Sequence, residues 1–274
     1  MKKNVKKVLL MLCILLGGGT FIFSGVKLTG IYRERSAGTK SYTAMAEKFV
    51  TPARKLPQAT QAHRTEAVDE QIEETAPICV DFAALREENA EIVGWLYCEG
   101  TEINYPVLHA ENNDKYLRAL PDGSYNYFGS LFMDYRNRED LTDENTLIYG
   151  HNMESSNQMF GGLSAFLEQA YADSHPHLYY LTPHGDYRVD VFAAYETTDS
   201  SEAYQRIFGS EEEYRSFLTL LEERSAIDME IRPVTENRIL TLSTCTNRSS
   251  NGRYVLHGVL RPLFDAEKNT GNGR

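Results

Sequence analysis

Hydrophobic and polar positions divide the chain into three stretches. An uncharged run of 19 residues, Val8 to Val26, follows a start that contains four lysines. From Lys27 to about Pro77 the chain is polar, rich in charge and poor in aromatic residues. From about Val80 onward, short apolar runs alternate with polar loops that contain turn-forming residues. The pattern predicts an apolar helix, a polar connecting segment and a folded unit, in that order.

The apolar run is long enough to cross a membrane. At about 1.5 Å per residue, a helix of this length spans roughly 28 Å, close to the thickness of a bilayer's hydrocarbon core. The lysines precede the run, so the positive-inside rule places the N-terminus in the cytoplasm and the rest of the chain outside. A cleaved signal peptide and a buried core helix are the alternatives. The length of the run, and the lack of a small-x-small cleavage site before Lys27, favour an uncleaved single-pass anchor.

The polar segment that follows predicts an extracellular stalk. Pro52 and Pro57 interrupt any long helix there, so we expect only a helical turn or two, around residues 41–49. The predicted boundaries are a cytoplasmic tail at 1–7, the transmembrane anchor at 8–26, the stalk at 27–79, a folded domain at 80–265 and a flexible tail at 266–274.

The folded unit is predicted to be mainly β, with peripheral helices. Predicted strands occupy 95–109 (with a turn at Gly100), 130–134, 145–149, 177–181, 187–197, 238–243 and 254–260. Predicted helices occupy 82–92, 159–169 and 210–224, with Asp81 and Ser210 as N-caps. Because most strands are short and separated by turns, the pattern favours a barrel or curled sheet over a doubly wound α/β fold. Pro106 is expected at an edge or at a strand end.

Charge narrows the choice of partners. After residue 26 the chain has 24 basic and 39 acidic residues, a net charge of −15. This balance argues against nucleic acid and anionic membrane surfaces as partners.

The four cysteines give no sign of a metal site. No C-x-x-C spacing occurs, and Pro176 separates the side chains of His175 and His177 without an evident third ligand. Cys79 and Cys98 either pair as a disulfide in an oxidising exterior or remain two separately buried thiols. No metal and no cofactor is expected.

The candidate chemistry centres on Cys245. It ends a strand-like run, and Arg253 begins the next one, so thiol and guanidinium are expected at the same rim of a hairpin. A thiolate is a strong nucleophile, and a fixed cation beside it can favour the thiolate or hold an oxyanion. His151 follows another strand-like run and Gly150, which places a proton-transfer group at a strand end as well.

At these residues the chain resembles the sortases, and among them class B. The motifs that carry the resemblance run in order from about Val80 to Leu263: Ile92–Leu96, Ile103–Val107, Asn113–Leu117, Phe132–Asn137, Tyr149–Met153, the helix at 210–224 and Thr241–Cys245 with its downstream arginine. The resemblance implies an eight-stranded β-barrel and a membrane-anchored cysteine transpeptidase of Gram-positive bacteria, with the 80–265 unit as its catalytic domain. Such enzymes cleave a C-terminal sorting signal of secreted proteins after threonine. They transfer the acyl group to an amine on a cell-wall peptide or a pilin lysine.

The resemblance also implies roles for individual residues. Cys245 is the expected nucleophile, His151 the acid and base, and Arg253 the group that binds substrate and stabilises the oxyanion. Arg248 lies in the same loop and is the rival for the arginine role. Three further positions are expected to contact the sorting peptide: Asn113, Leu117 and Ser243. The competing functions are a surface cysteine hydrolase and a membrane-tethered module that binds a peptide without cutting it.

Overall fold

One helix, α1 (Lys2–Phe49), carries the apolar N-terminal run and continues to the folded unit. The computed structural model describes residues 2–53, 75–153 and 156–263. The most apolar window of α1 has a mean hydropathy of 1.7, and none of that window is buried against the protein. Apolar side chains such as Leu15, Phe21 and Ile22 are exposed. A helix of this length and composition is a candidate membrane span.

The last part of α1 packs on the folded unit, in contrast to the predicted stalk. Tyr42 and Phe49 are buried, and Met45 and Ala46 pack beside Phe49. These positions are spaced as one helix face, a pattern that the sequence contains. The helix runs on to Phe49 because the first proline after the apolar run is Pro52, so the expectation of only a helical turn or two was wrong.

The remaining elements are short. The other helices are α2 (Phe82–Glu88), α3 (Gln169–Ser174) and α4 (Glu211–Arg224). The strands are β1 (Val50–Pro52), β2 (Ile78–Val80), β3 (Ile92–Tyr97), β4 (Asn104–Leu108), β5 (Leu131–Met133), β6 (Asn145–Tyr149), β7 (Asn152–Met153), β8 (Gln158–Met159), β9 (His177–Thr182), β10 (Gly185–Thr198), β11 (Ile239–Cys245) and β12 (Gly252–Leu263). Single 3-10 turns lie at Lys115–Leu117, Leu163–Leu167 and Glu202–Tyr204.

Eight of these strands form the closed barrel, which confirms the predicted fold. The order around it is β10-β12-β11-β6-β5-β4-β3-β9, and β9 pairs with β10 to close it. Two neighbouring pairs, β6 with β11 and β4 with β5, are parallel, and the others are antiparallel. Strands β1 and β2 form a small separate pair, as do β7 and β8. The parallel pairing of β6 and β11 brings the ends of these two strands to the same rim.

Alternation along the strands separates an inner from an outer apolar face. All eight barrel strands contribute to one large buried cluster, as Leu96, Ile148 and Leu242 illustrate. On the outside, α4 covers neighbours such as Ile239 and Val255, whereas α1 and α2 cover the outer face around Trp95. The barrel wall is therefore packed on its inner face and, beside α1, α2 and α4, on its outer face.

Several predicted elements differ in their limits. The helix predicted to reach residue 92 ends at Glu88, where Asn89 turns extended and leads into β3. The helix predicted near 159–169 is a 3-10 turn followed by α3, after the glycine pair at 161–162. Pro106 lies within barrel strand β4, at a position where pairing with β5 has not yet begun.

Cys79 and Cys98 lie in different surroundings. Cys79 is exposed on β2, whereas Cys98 is buried just after β3, and no disulfide joins them within the described ranges. Burial raises the pKa of the Cys98 thiol to about 11. Of the two predicted alternatives, the disulfide is not formed, and the alternative of two buried thiols is right for Cys98 and wrong for Cys79.

Candidate active site

The parallel pairing of β6 and β11 brings residue 151 beside residue 245. Tyr149 pairs with Ser243, and the Gly150 amide donates to the Ser243 carbonyl at 3.1 Å. One step further, the side-chain amide of Asn152 donates to the Cys245 carbonyl at 2.8 Å. The chain on either side of His151 is thus bonded directly to the end of β11.

Cys245 and Arg253 are held opposite each other by the β11–β12 ladder. They are register partners, and the Thr246 amide donates to the Gly252 carbonyl at 2.8 Å to close the connecting loop. A Cβ at Gly252 would lie within 2.5 Å of the hydroxyls of Thr246 and Ser249, so a larger residue there would displace these side chains. Cys245 is exposed at the rim, as expected for a thiol that must reach a substrate.

The two candidate arginines differ in position. The Arg253 guanidinium is about four-fifths covered and donates to the Gly252 carbonyl at 2.8 Å and towards Asp199 at 3.4 Å. It lines the same cavity as Cys245. Arg248 is three-quarters exposed and pairs with Glu196 at 3.3 Å, away from the cavity lining.

All six residues predicted for the site line one cavity of about 340 Å³. They are Cys245, His151, Arg253, Asn113, Leu117 and Ser243. The rest of the lining consists of Asp114, Phe132, Arg136, Tyr149, Gly150, Asp199, Tyr204 and Thr244. The cavity is lined by a thiol, an imidazole and a guanidinium on one side and by aromatic and aliphatic side chains on the other. Such a lining suits an extended peptide.

One ring nitrogen of His151 is fixed by a hydrogen bond. Its Nε2 donates to the Leu117 carbonyl at 2.5 Å, which leaves Nδ1 as the unprotonated nitrogen of the neutral ring. Burial lowers the pKa of His151 below its usual value, and the nearby Arg118 cation acts in the same direction. The hydrogen bond to Leu117 opposes them. A neutral imidazole is the form that can accept a proton from a thiol.

A buried carboxylate supports the substrate side of the cavity. Asp134 accepts hydrogen bonds from Arg136 (Nε, 2.8 Å; Nη2, 2.8 Å), from the Asn113 amide at 3.1 Å and from the Tyr149 hydroxyl at 2.9 Å. Burial works against ionisation, but these hydrogen bonds, led by Arg136, outweigh it and lower the pKa of Asp134 to about 2. No role was predicted for Asp134, although an aspartate directly after a buried strand, two residues before an arginine, is a usable signal.

Tyr204 is a second residue of the site that was not predicted from the sequence. Its hydroxyl bonds to the Ser243 hydroxyl at 2.8 Å, and its ring stacks on Tyr149 with centroids 6.3 Å apart. It comes from the 3-10 turn between β10 and α4, far from Ser243 in the chain. The two tyrosines therefore form one aromatic wall.

Comparisons with known proteins agree with this geometry. The Sortase domain family model matches residues 96–261. Sortase B of Staphylococcus aureus is 31% identical over 247 residues, which are 90% of this chain and 93% of that protein. Sortase B of Listeria monocytogenes is 35% identical over 178 residues, 64% of this chain and 72% of that protein.

Solved structures extend the likeness to the fold. Sortase B from Bacillus anthracis in complex with AAEK1 has a TM-score of 0.67 at 32% identity, covering 86% of this chain and 99% of that one. A Staphylococcus aureus sortase B–substrate complex has a TM-score of 0.64 at 32% identity, covering 67% and 85%. The chain therefore belongs to the sortase family, within class B, and is a cysteine transpeptidase.

Proposed function

We propose that this enzyme is anchored in the membrane, cleaves the C-terminal sorting signal of secreted proteins after threonine, and joins the threonine to an amine. This amine belongs either to a cell-wall peptide or to the side chain of a pilin lysine. The observation that carries the proposal is the convergence of Cys245, His151 and Arg253 on one peptide-sized cavity.

In the first half of the reaction, the Cys245 sulfur attacks the threonine carbonyl while its proton passes to His151. A C–S bond forms, and the carbonyl oxygen becomes an oxyanion beside the Arg253 guanidinium. Collapse of this intermediate breaks the C–N bond, and His151 returns the proton to the leaving amine. The product is a thioester on Cys245.

In the second half, an incoming amine attacks the thioester carbonyl and gives up a proton to His151. The new C–N bond forms as the C–S bond breaks, and the proton returns to the Cys245 sulfur. The acyl-enzyme preserves the energy of the cleaved peptide bond, which lets an amine displace the thiol without another energy source.

Arg253, rather than Arg248, is the arginine we assign to this step. It is fixed opposite Cys245 by the strand ladder and lines the cavity, whereas Arg248 points to Glu196. A hydrogen-bond donor stabilises a developing oxyanion most when it is already in place and partly shielded from water. Arg253 meets both conditions.

The sorting peptide is proposed to lie along Asn113, Leu117 and Ser243. One N–H of the Asn113 amide bonds to Asp134 and its oxygen accepts from the Tyr135 amide, so the group is fixed before a peptide arrives. Fixed polar groups bind with a smaller loss of conformational entropy.

The membrane arrangement is also a proposal. Residues 1–7 would lie in the cytoplasm, 8–26 in the bilayer, and the catalytic unit outside. Glu34 lies on helix α1 eight residues past Val26, which is about 12 Å of helix, and its carboxylate accepts a hydrogen bond from the Tyr127 amide. The catalytic unit would therefore stand close to the membrane surface.

The test uses the full chain in lipid nanodiscs with fluorogenic pentapeptides of the Asn-Pro and Pro-Pro types that contain threonine. Each is assayed with and without a primary-amine acceptor such as triglycine, and products are identified by mass spectrometry. Transfer of the acyl group to the acceptor supports the proposal. Hydrolysis alone indicates a surface hydrolase, and binding without turnover indicates a peptide-binding module.

A further inference from the structure

An aromatic ring from a neighbouring loop lies against the candidate acid–base residue. Tyr127 stacks on His151 with ring centroids 6.2 Å apart and planes 13° apart. The Arg118 guanidinium lies 4.4 Å from the Tyr127 ring centroid and donates to the Tyr127 carbonyl at 3.1 Å. Cation–π contact and stacking together restrict the orientation of the tyrosine ring. Tyr127 is about half exposed, so it contributes little to the core.

Helix α1 fixes the loop that carries this ring. The Glu34 carboxylate accepts the Tyr127 amide proton at 2.7 Å, and the Glu34 carbonyl accepts from the Asn126 side chain at 2.9 Å. Further along the helix, the buried Tyr42 hydroxyl donates to the Gly129 carbonyl at 2.5 Å. Both ends of the 126–129 loop are thus bonded to α1.

The contact between helix and loop is close. A Cβ at Gly38 would lie 2.5 Å from the ring of Phe128, which is itself buried, so any side chain there would have to displace this ring. Gly129 has a φ of +56°, and a Cβ on it would lie 2.5 Å from the Leu117 carbonyl oxygen. That oxygen is the one that accepts from His151. The loop therefore contacts His151 through the Tyr127 ring. Its Gly129 also lies close to the Leu117 carbonyl that accepts the hydrogen bond from His151.

We propose that the part of α1 beyond the apolar run positions His151 for proton transfer, through Glu34 and the ring of Tyr127. The part of α1 that follows the apolar run would then help to hold the active site in place. The inference rests on the proposed role of His151 and adds Tyr127 and Glu34 as positioning residues, which act through the imidazole and not on the substrate.

The test compares four variants of the full chain in nanodiscs. Tyr127→Leu removes the ring, Tyr127→Phe retains it, and Glu34→Ala removes the acceptor for the loop. Tyr32→Leu is the matched control, because Tyr32 is exposed on α1 two residues before Glu34. We expect kcat to fall at least tenfold in Tyr127→Leu and Glu34→Ala with KM within threefold, since small misplacements of a catalytic group have effects of this order. Tyr127→Phe and Tyr32→Leu should stay within about twofold of the parent.

A second readout does not depend on turnover. In a Cys245→Ala background with isotope-labelled histidine, the ring resonances of His151 should shift in Tyr127→Leu and also in Glu34→Ala, and remain in place in Tyr32→Leu. If the parent enzyme transfers no acyl group, the proposed function fails, while these resonances still test the coupling. An unshifted His151 signal in Glu34→Ala overturns the inference, as does a Tyr127→Phe variant with the same loss of kcat as Tyr127→Leu.

Discussion

The buried carboxylate of Asp134 makes interactions whose contribution to the free energy of unfolding can be measured. It is fully buried as a side chain and accepts from Arg136, Asn113 and Tyr149. Asp134→Asn keeps the shape of the side chain, removes its charge and turns an amide N–H towards groups that themselves donate. The pair with Arg136 is then lost, and hydrogen bonds to a charged acceptor are among the strongest that proteins make.

The magnitude follows from linkage. The pKa of Asp134 falls from 3.8 to about 2 on folding. A shift of this size corresponds to about 2.5 kcal/mol of stability at neutral pH, at 1.36 kcal/mol per pKa unit. Because the folded pKa is the lower one, this stability is fully present above the unfolded pKa and is lost as the pH falls through the folded pKa. The contribution of Asp134 to the free energy of unfolding should be constant from pH 7 to about pH 5, fall to roughly half by pH 3, and be small at pH 2.

The assay is denaturant unfolding of the parent and Asp134→Asn, as full chains in detergent micelles, at a series of pH values. The difference between the two curves isolates Asp134, because every other carboxylate titrates in both proteins. We expect the variant to be less stable by about 2–3 kcal/mol at pH 7, with the gap closing below pH 4. A gap under about 0.5 kcal/mol at pH 7, or one that does not change between pH 7 and pH 2, would refute the reasoning.

Three further outcomes follow from the site. Cys245→Ala should abolish acyl transfer while leaving the thermal unfolding midpoint unchanged, because the side chain is exposed; residual turnover would require another nucleophile. Arg253→Ala should lower kcat/KM by about a hundredfold, as loss of an oxyanion donor does, and Arg248→Ala by less than threefold; the reverse order would transfer the role. Arg118→Gln should raise the pKa of His151 in a histidine NMR titration, since the cation lowers it in the parent, and a midpoint that stays or falls would contradict this.

The strands, and the positions of the reactive residues at their ends, were predictable because they depend on local patterns, whereas the closed barrel was predicted from the family resemblance. Strand β6 was predicted with its observed limits. Strand β11 was predicted to begin one residue earlier and to end two residues earlier than it does, and β12 was predicted with shorter limits. Once β6 and β11 are parallel neighbours, residues that follow their ends must meet at one rim. The sequence shows that His151 and Cys245 each stand at such an end, so their proximity needed only the family's strand order.

The supporting contacts were not predictable in this way because they join distant parts of the chain. Glu34 and Tyr127 are 93 residues apart, and Tyr204 and Ser243 are 39 apart. A single glutamate on an exposed helix has no local pattern that reveals such a partner. The burial of Tyr42 was predictable, because Tyr42 shares one helix face with the apolar residues at 45, 46 and 49. The prolines at 52 and 57 suggested instead that only a short helix forms there.

The reactive groups are held by two different kinds of structure, and this has a consequence for how the enzyme can be perturbed. Cys245 and Arg253 are fixed by backbone pairing between β11 and β12, which a single side-chain change hardly moves. His151 follows the end of β6, and its ring is fixed by the Leu117 carbonyl and by Tyr127. Substitutions in those loops should therefore impair proton transfer while leaving the thiol reachable. Alkylation of Cys245 by a small neutral reagent, compared with acyl transfer in the same variants, separates the two effects.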